Sequence, residues 1–291
     1  MKYYIMIKSY IKLSRIYIAL FSSYAAAMGF FLGPYRLIND AVASTLAIFF
    51  LACGASALNQ YQERDIDAKM ERTRRRPLPS GAITPSEALS FSLVMLCVGI
   101  IMLVLLGKVL LVILGILAVL LYNGLYTHLK KVTAFASVPG GVIGMIPPAI
   151  GWVSAGGALF DARLMGVCFI FFMWQIPHFW LLLLRYADDY KKAGLPSLAN
   201  LMSPTQISRV VFIWIFASSV ASLLLPLYGA VKTSIVFFLL IPLAVWLQWN
   251  GRLLLQNTAI ARPVELFRTI NLYLLLVMSL LSIENIFFHS P

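Results

Sequence analysis

The apolar positions of this chain come in long, nearly unbroken runs rather than in the one-sided stripe of a soluble amphipathic helix. An α-helix needs about 20 such residues to cross a bilayer. Nine runs approach that length: roughly 16–34, 41–61, 88–106, 109–127, 136–155, 163–184, 209–228, 233–250 and 269–288. Polar residues gather between the runs. The pattern predicts an all-α, polytopic membrane protein with nine transmembrane helices, built as a single domain over residues 1–291. Acidic clusters after the second and sixth runs hint at two related halves, about 1–130 and 131–291.

Composition supports this reading. The chain is 61% hydrophobic and 12% charged, with a mean hydropathy of +0.88, whereas a soluble domain is nearer half apolar and a quarter charged. The basic lead of Lys2, Lys8, Lys12 and Arg15 resembles a signal peptide. The apolar stretch after it is too long for a typical signal core, and no small-residue cleavage site follows. A retained first helix is expected. Cys53, Cys97 and Cys168 lie far apart in apolar runs and form no disulfide framework; they read as small buried hydrophobes.

Charge then fixes an orientation. With the N-terminus inside, 19 of the 23 Lys and Arg residues fall on inside segments; only Arg36, Lys108, Arg163 and Lys232 fall outside. Cytoplasmic loops carry such an excess. The expectation is an integral protein of a prokaryotic cell (inner) membrane, with its N-terminus cytoplasmic and its C-terminus outside. The net charge of +12 is thereby explained without a nucleic-acid partner.

The segment NQYQERDIDAKMERTRRRPLPSG, residues 59–81, mixes both signs of charge at the inside end of the second run. Asn59, Glu63 and Asp67 are spaced i, i+4, i+8 and would share one helix face, with Asp65 pointing away. One amide and two carboxylates suit Mg²⁺, which takes a few carboxylates and completes its shell with phosphate oxygens. Arg72 and Arg74 to Arg76 supply planar forks for phosphate. The plainer alternative is a solvated loop that only sets topology. The arginines fit that alternative well, but carboxylates on one face at a membrane boundary are costly unless used.

The sixth run ends in WQIPHFWLLLLRYADDYKKAGLPSL, residues 174–198, on the same side. It brings Arg185, Asp188 and Asp189, a second acidic group that could close on one diphosphate or equally be a solvated loop. Lys130 and Lys131, in YTHLKKVT, are further phosphate candidates or generic juxtamembrane lysines. His178 follows Pro177 inside the sixth run, between Trp174 and Trp180. An intramembrane histidine is a functional candidate by default; a hydrogen-bonded core histidine is the alternative. It lies eleven residues before Asp189, about 16 Å of helix. That is too deep for a diphosphate at the membrane boundary.

These residues together resemble the UbiA superfamily of intramembrane prenyltransferases. Its first motif, N-D-x-x-D-x-x-x-D, reads here as Asn59, Gln60, Glu63 and Asp67, with Gln60 and Glu63 in place of aspartates. ERDIDAKMERTRRRPLPSG, YTHLKKVT with GGVIGMIPPAIGW, and WQIPHFW with DDYKKAGLPSL are similar to its heme-farnesylating branch. Members with aromatic acceptors usually carry a fuller D-x-x-x-D second motif. The resemblance implies nine helices around a central cavity. It implies Mg²⁺ on Asn59, Glu63, Asp67, Asp188 and Asp189, with the diphosphate of farnesyl diphosphate on Arg72, Arg76, Lys130, Lys131 and Arg185. Heme B would be the acceptor, met by His178. The lipid bilayer would be the surroundings, and the product would pass to a heme A synthase or a terminal oxidase. Transfer to an aromatic acceptor of quinone synthesis is a second reading. A transporter is a third, disfavoured because its ionisable residues would sit near mid-membrane.

Overall fold

The computed structural model describes residues 2–34, 37–256 and 263–288, with side chains from Met6 onward. Arg36, counted above among the outside cations, lies outside the described residues. Every regular element among them is helical. In chain order these are α1 (Lys2–Ser14), α2 (Ile16–Leu32), α3 (Ile38–Gln62), α4 (Arg64–Lys69), α5 (Pro85–Leu105), α6 (Val109–Val119), α7 (Thr127–Leu129) and α8 (Ser137–Gly140). There follow α9 (Ile146–Ser154), α10 (Ala162–Arg185), α11 (Ala187–Lys192), α12 (Pro204–Leu223), α13 (Ser234–Gly251) and α14 (Pro263–Phe287).

Seven helical stretches among the described residues are long and apolar enough to cross a membrane, and an eighth appears if α1 and α2, bent by 47°, count as one. The expected nine continuous helices are therefore not reproduced. The run at 136–155 is helical but divided into α8, a 3₁₀ turn at Gly141–Met145, and α9. Its sequence supplies the reason. Gly140, Gly141 and Gly144 weaken the helix, and Pro147 and Pro148 cannot donate backbone bonds. Proline is tolerated in the first turn of α9, so the helix restarts there. At the N-terminus the basic lead is itself a helix, α1. Arg15, at φ 47° and ψ 53°, turns the chain into α2.

The two connections that carry charge end in the same way. Thr84 and Glu87 form a reciprocal capping box at the start of α5, with Pro85 in the first turn. Ser203, Gln206 and Pro204 do the same for α12. Each box satisfies orphan N–H groups and stops the preceding loop sharply. The long helices differ in position. In the apolar window of α10, 56% of residues are buried, against 22% in α5. α10 is thus a central helix, and α5 shows most of its apolar side chains outward, as lipid contact requires. Cys53 and Cys168 are buried as expected, but Cys97 is exposed on α5.

α2 and α9 approach more closely than side chains allow. A methyl group on Gly151 would strike the Ala26 carbonyl oxygen and lie 2.7 Å from the Phe30 nitrogen; one on Gly29 would lie 2.8 Å from the Pro148 carbonyl carbon. Small residues let helices associate in lipid, where no hydrophobic drive holds them together. Gly151→Ala is expected to force the helices apart, at a cost of about 1–3 kcal/mol. A thermal unfolding midpoint in detergent indistinguishable from wild type would show that the contact yields freely.

Candidate active site: a charged cluster at one end of the bundle

The C-terminal ends of α3, of the α6–α7 run and of α10 meet the N-terminal end of α2. Four local irregularities occur there. Arg15 is left-handed. α3 stops at Gln62, and Glu63, at φ −109° and ψ 6°, separates it from α4. Residues Leu120–Tyr126 form a π-helical stretch. Tyr186, at φ −120° and ψ 28°, separates α10 from α11. π-helical turns and strained backbone concentrate at functional sites.

The break after Gln62 changes the expected ladder. Asn59, Glu63 and Asp67 do not share one continuous helix, because Asp67 belongs to α4. All three are nonetheless buried, at 1%, 3% and 3% exposure, while the Asp65 side chain is 85% exposed. The buried carboxylates each have a cation. Lys130 pairs with Glu63, and Arg76 Nη1 lies 2.6 Å from Asp67 Oδ2. Burial pulls the Lys130 ammonium below its usual range, opposed by Glu63. Burial, and then the neighbouring Arg15, pull Arg76 down to about 10. Desolvation disfavours charged forms in this way. Thr73 Oγ1 donates to the Asp67 carbonyl oxygen at 2.8 Å and fixes the loop that carries Arg76.

A third cation was not marked as a ligand by the sequence. Arg15 donates to Asn59 Oδ1 at 3.4 Å and to the Tyr122 hydroxyl at 3.3 Å. No carboxylate pairs with it within ion-pair distance among the described residues. Asn59 Nδ2 donates in turn to Thr127 Oγ1 at 3.0 Å. Gln62 and Asn123 exchange bonds at 3.1 and 3.2 Å, tying the π stretch to the end of α3. Gln60 does not face this network. Its Nε2 donates to the Leu13 carbonyl oxygen at 2.7 Å and holds α1. The π stretch also places Tyr122 and Tyr126 with stacked rings, 6.0 Å apart, and Tyr126 stacks on Phe179 of α10 at 5.4 Å. Arg15 and the tyrosines were missed because spacing along one helix carries no sign of them. Arg15 had one local clue, its place just before an apolar run.

The second acidic group is divided. Asp189 is buried and accepts from the backbone nitrogens of Arg72 at 3.0 Å and Glu71 at 3.3 Å. It therefore ties α11 to the arginine loop. Asp188 and Arg185 are exposed, as are Arg72 and Lys131. Arg72 and Arg185 both lie over the Tyr186 ring, at 4.8 and 4.9 Å. No group of three or more His, Cys, Asp or Glu residues is gathered for a metal among the described residues. The five proposed oxygen ligands thus do not converge as one set. Glu63 and Asp67, with the Asn59 amide oxygen beside them, still match Mg²⁺. That ion uses one or two carboxylates and draws its remaining oxygens from substrate phosphate and water.

His178 lies apart, on α10. Asn271 Nδ2 donates to the Phe267 carbonyl oxygen at 2.5 Å, which turns Asn271 Oδ1 toward the imidazole, 2.9 Å from Nδ1. An amide oxygen only accepts, so His178 Nδ1 carries the proton and the lone pair is on Nε2. Trp174, Phe267 and Phe179 surround the ring, with centroids 4.6, 4.7 and 5.6 Å away.

Residues 17–275 match the UbiA prenyltransferase family. A protoheme IX farnesyltransferase of Oleidesulfovibrio alaskensis is 34% identical over 97% of this chain and 98% of its own. One of Geobacter sulfurreducens is 41% identical over 73% of this chain and 78% of its own. Among solved structures, a digeranylgeranylglyceryl phosphate synthase aligns with a TM-score of 0.76 at 17% identity, over 97% of this chain and 99% of that one. A UbiA homologue of Archaeoglobus fulgidus bound to DMAPP and Mg²⁺ aligns at 0.62 and 15% identity, over 93% and 99%. At these identities the structures establish the fold.

Removing one partner of a buried ion pair strands the other and costs about 3–5 kcal/mol. Asp67→Asn is therefore expected to lower the unfolding midpoint sharply, and Asp67→Asn with Arg76→Gln to recover most of that loss. A double-variant cycle in detergent measures the coupling; additive losses would mean that the two side chains do not depend on each other.

Proposed function

The chain belongs to the UbiA prenyltransferase family, and we propose that it transfers the farnesyl group of farnesyl diphosphate to a vinyl group of heme B, giving heme O and diphosphate. The observation that carries this reading is the cluster of half-buried Arg15, Arg76 and Lys130 around the buried Glu63 and Asp67. An apolar bundle has no structural use for a surplus of half-buried cations, but a trianionic diphosphate does. The protoheme IX farnesyltransferases that align along the chain support the acceptor.

In this reading Arg76, Lys130 and Arg15 bind diphosphate oxygens. Arg72, Arg185 and Lys131 guard the entrance, and Asp189 holds the arginine loop in place. Glu63 and Asp67, beside Asn59, would hold Mg²⁺, which when bound neutralises charge on the departing diphosphate. Asp188 is exposed and would reach the ion only indirectly. The bond from farnesyl C1 to oxygen breaks and its electron pair leaves with diphosphate. The vinyl π pair of heme then bonds to C1. Water adds to the resulting side-chain cation and loses a proton, leaving a hydroxyethylfarnesyl group. The cations lower the barrier because their charge is already aimed at the leaving group. Tyr122, Tyr126 and Phe179 form an aromatic wall beside the pocket that keeps water from the allylic cation. The pocket would face the cytoplasm, with the N-terminus inside and the C-terminus outside, as the 19-to-4 division of basic residues supports.

The direct test incubates purified protein with heme B, farnesyl diphosphate and Mg²⁺ and follows the hemes by mass spectrometry. A heme O mass confirms the reading. Unchanged heme, with prenylation of an aromatic acid instead, refutes it.

Arg72→Lys and Arg76→Lys keep the charge but lose the two-toothed fork. Both are expected to weaken farnesyl diphosphate binding several-fold, with the larger loss at the half-buried Arg76. Unchanged affinity in both would return these residues to a purely topological role.

His178 is assigned to the acceptor. Its free Nε2 is the atom an iron porphyrin needs, and a carbonyl partner on Nδ1–H is the usual way to orient such a ligand. His178→Ala should reduce heme affinity at least tenfold and shift the Soret band, while farnesyl diphosphate affinity by calorimetry stays within twofold. A normal heme spectrum would leave His178 as a packed core residue.

A further inference from the structure

The pocket contains more cations than carboxylates, and both carboxylates are already taken. Glu63 and Asp67 side chains are each 4% exposed, and their partners Lys130 and Arg76 are 23% and 18% exposed. Arg15 adds a third positive charge whose hydrogen-bond partners among the described residues are neutral, Asn59 and Tyr122. Gln60, where the family pattern has a third carboxylate, is uncharged and turned to the α1 backbone. A bare divalent cation arriving here would meet three fixed positive charges. To reach Glu63 or Asp67 it would have to displace a half-buried ammonium or guanidinium, and a displaced, partly desolvated cation without a new partner is unfavourable. Diphosphate removes that obstacle, since its oxygens give Lys130 and Arg76 new anionic partners.

We propose that Lys130 and Arg76 are exchangeable counter-ions, which release Glu63 and Asp67 and take phosphate oxygens as diphosphate enters. The two carboxylates then become available to a divalent cation only in the company of diphosphate. The exchange rests on the reading of this pocket as a metal–diphosphate site. It adds an order and a safeguard. Glu63 and Asp67 stay neutralised and closed to free metal between turnovers, and the donor enters with its metal rather than after it.

The test is calorimetry on the full chain in lipid nanodiscs, with Mn²⁺ as the metal probe and inorganic pyrophosphate as the anion probe. Bound Mn²⁺ is read independently by electron paramagnetic resonance. Wild type is expected to bind Mn²⁺ alone at least tenfold more weakly than it does with saturating pyrophosphate. Lys130→Met removes the counter-ion of Glu63, so it should bind Mn²⁺ alone at least tenfold more tightly than wild type and pyrophosphate more weakly. Arg76→Gln should do the same through Asp67, and stands in if the first variant does not fold. Lys69→Gln removes an exposed charge from α4, two residues from Asp67, and should leave the affinity for Mn²⁺ alone within twofold; an equal gain there would reduce the effect to general electrostatics and overturn the exchange. So would tight binding of Mn²⁺ alone to wild type, or unchanged Mn²⁺ affinity in both counter-ion variants. If neither probe binds, singly or together, the metal–diphosphate reading fails along with it.

Discussion

The structure turns on the cost of burying charge at the end of an apolar bundle. Two carboxylates have been withdrawn from water there, and three cations partly so. Each member holds its place only because others neutralise or hydrogen-bond it. The chain ends that supply them come from far apart in sequence. Arg15 opens α2, Glu63 and Asp67 close α3 and its extension, Arg76 lies in the following loop, and Lys130 follows α7. Packing of the long helices brings these ends within reach, and the ion pairs in turn fix how the ends are set against one another.

The departures from regular helix are grouped around this pocket. Left-handed geometry at Arg15 bends α1 away from α2 and lets the guanidinium reach Asn59 and Tyr122. The π stretch before Thr127 carries Tyr122, Asn123 and Tyr126, all of which contact the pocket or its wall. Thr127 Oγ1 itself bonds the Tyr122 carbonyl oxygen five residues back, at 2.8 Å, a bond that suits the wider turn. The breaks at Glu63 and Tyr186 end α3 and α10 and begin the short helices α4 and α11. Asp189 then joins α11 to the loop after α4 by accepting from the Arg72 and Glu71 nitrogens. Regular helices would have carried these polar groups past the pocket. Strain is tolerated where the surrounding contacts over-determine it.

The opposite end of the bundle shows what polar groups do without such a pocket. Lys108 donates to the last carbonyls of α9, Val153 and Ser154, at 3.0 and 2.8 Å. Glu284 accepts from Lys232 N, Thr233 N and Thr233 Oγ1 at 3.0, 2.6 and 2.7 Å, closing the start of α13. Lys108 and Glu284 there each complete a helix end. The charged pair at that end is local: Arg163 Nη2 lies 2.7 Å from Asp161 Oδ2, two residues away at the start of α10.

The sequence by itself determined the class, most of the helical runs and the end at which charge would gather. Length and hydropathy are local properties, and lipid leaves the backbone of each run little choice but helix. The i, i+4, i+8 spacing also grouped Asn59, Glu63 and Asp67, and all three are buried, although the single helix face that spacing implied is broken at Glu63. Tertiary structure decided the rest. It split the run at 136–155, where glycine and proline content outweighs hydropathy. It gave Glu63 to Lys130 and Asp67 to Arg76, gave Asp189 a backbone role, and left Asp188, Arg185 and Lys131 exposed. It also brought Arg15, Tyr122 and Asn271 to work beside residues that spacing had identified. Hydropathy depends on neighbours along the chain, but a buried charge chooses its partner from whatever packing brings within a few ångströms.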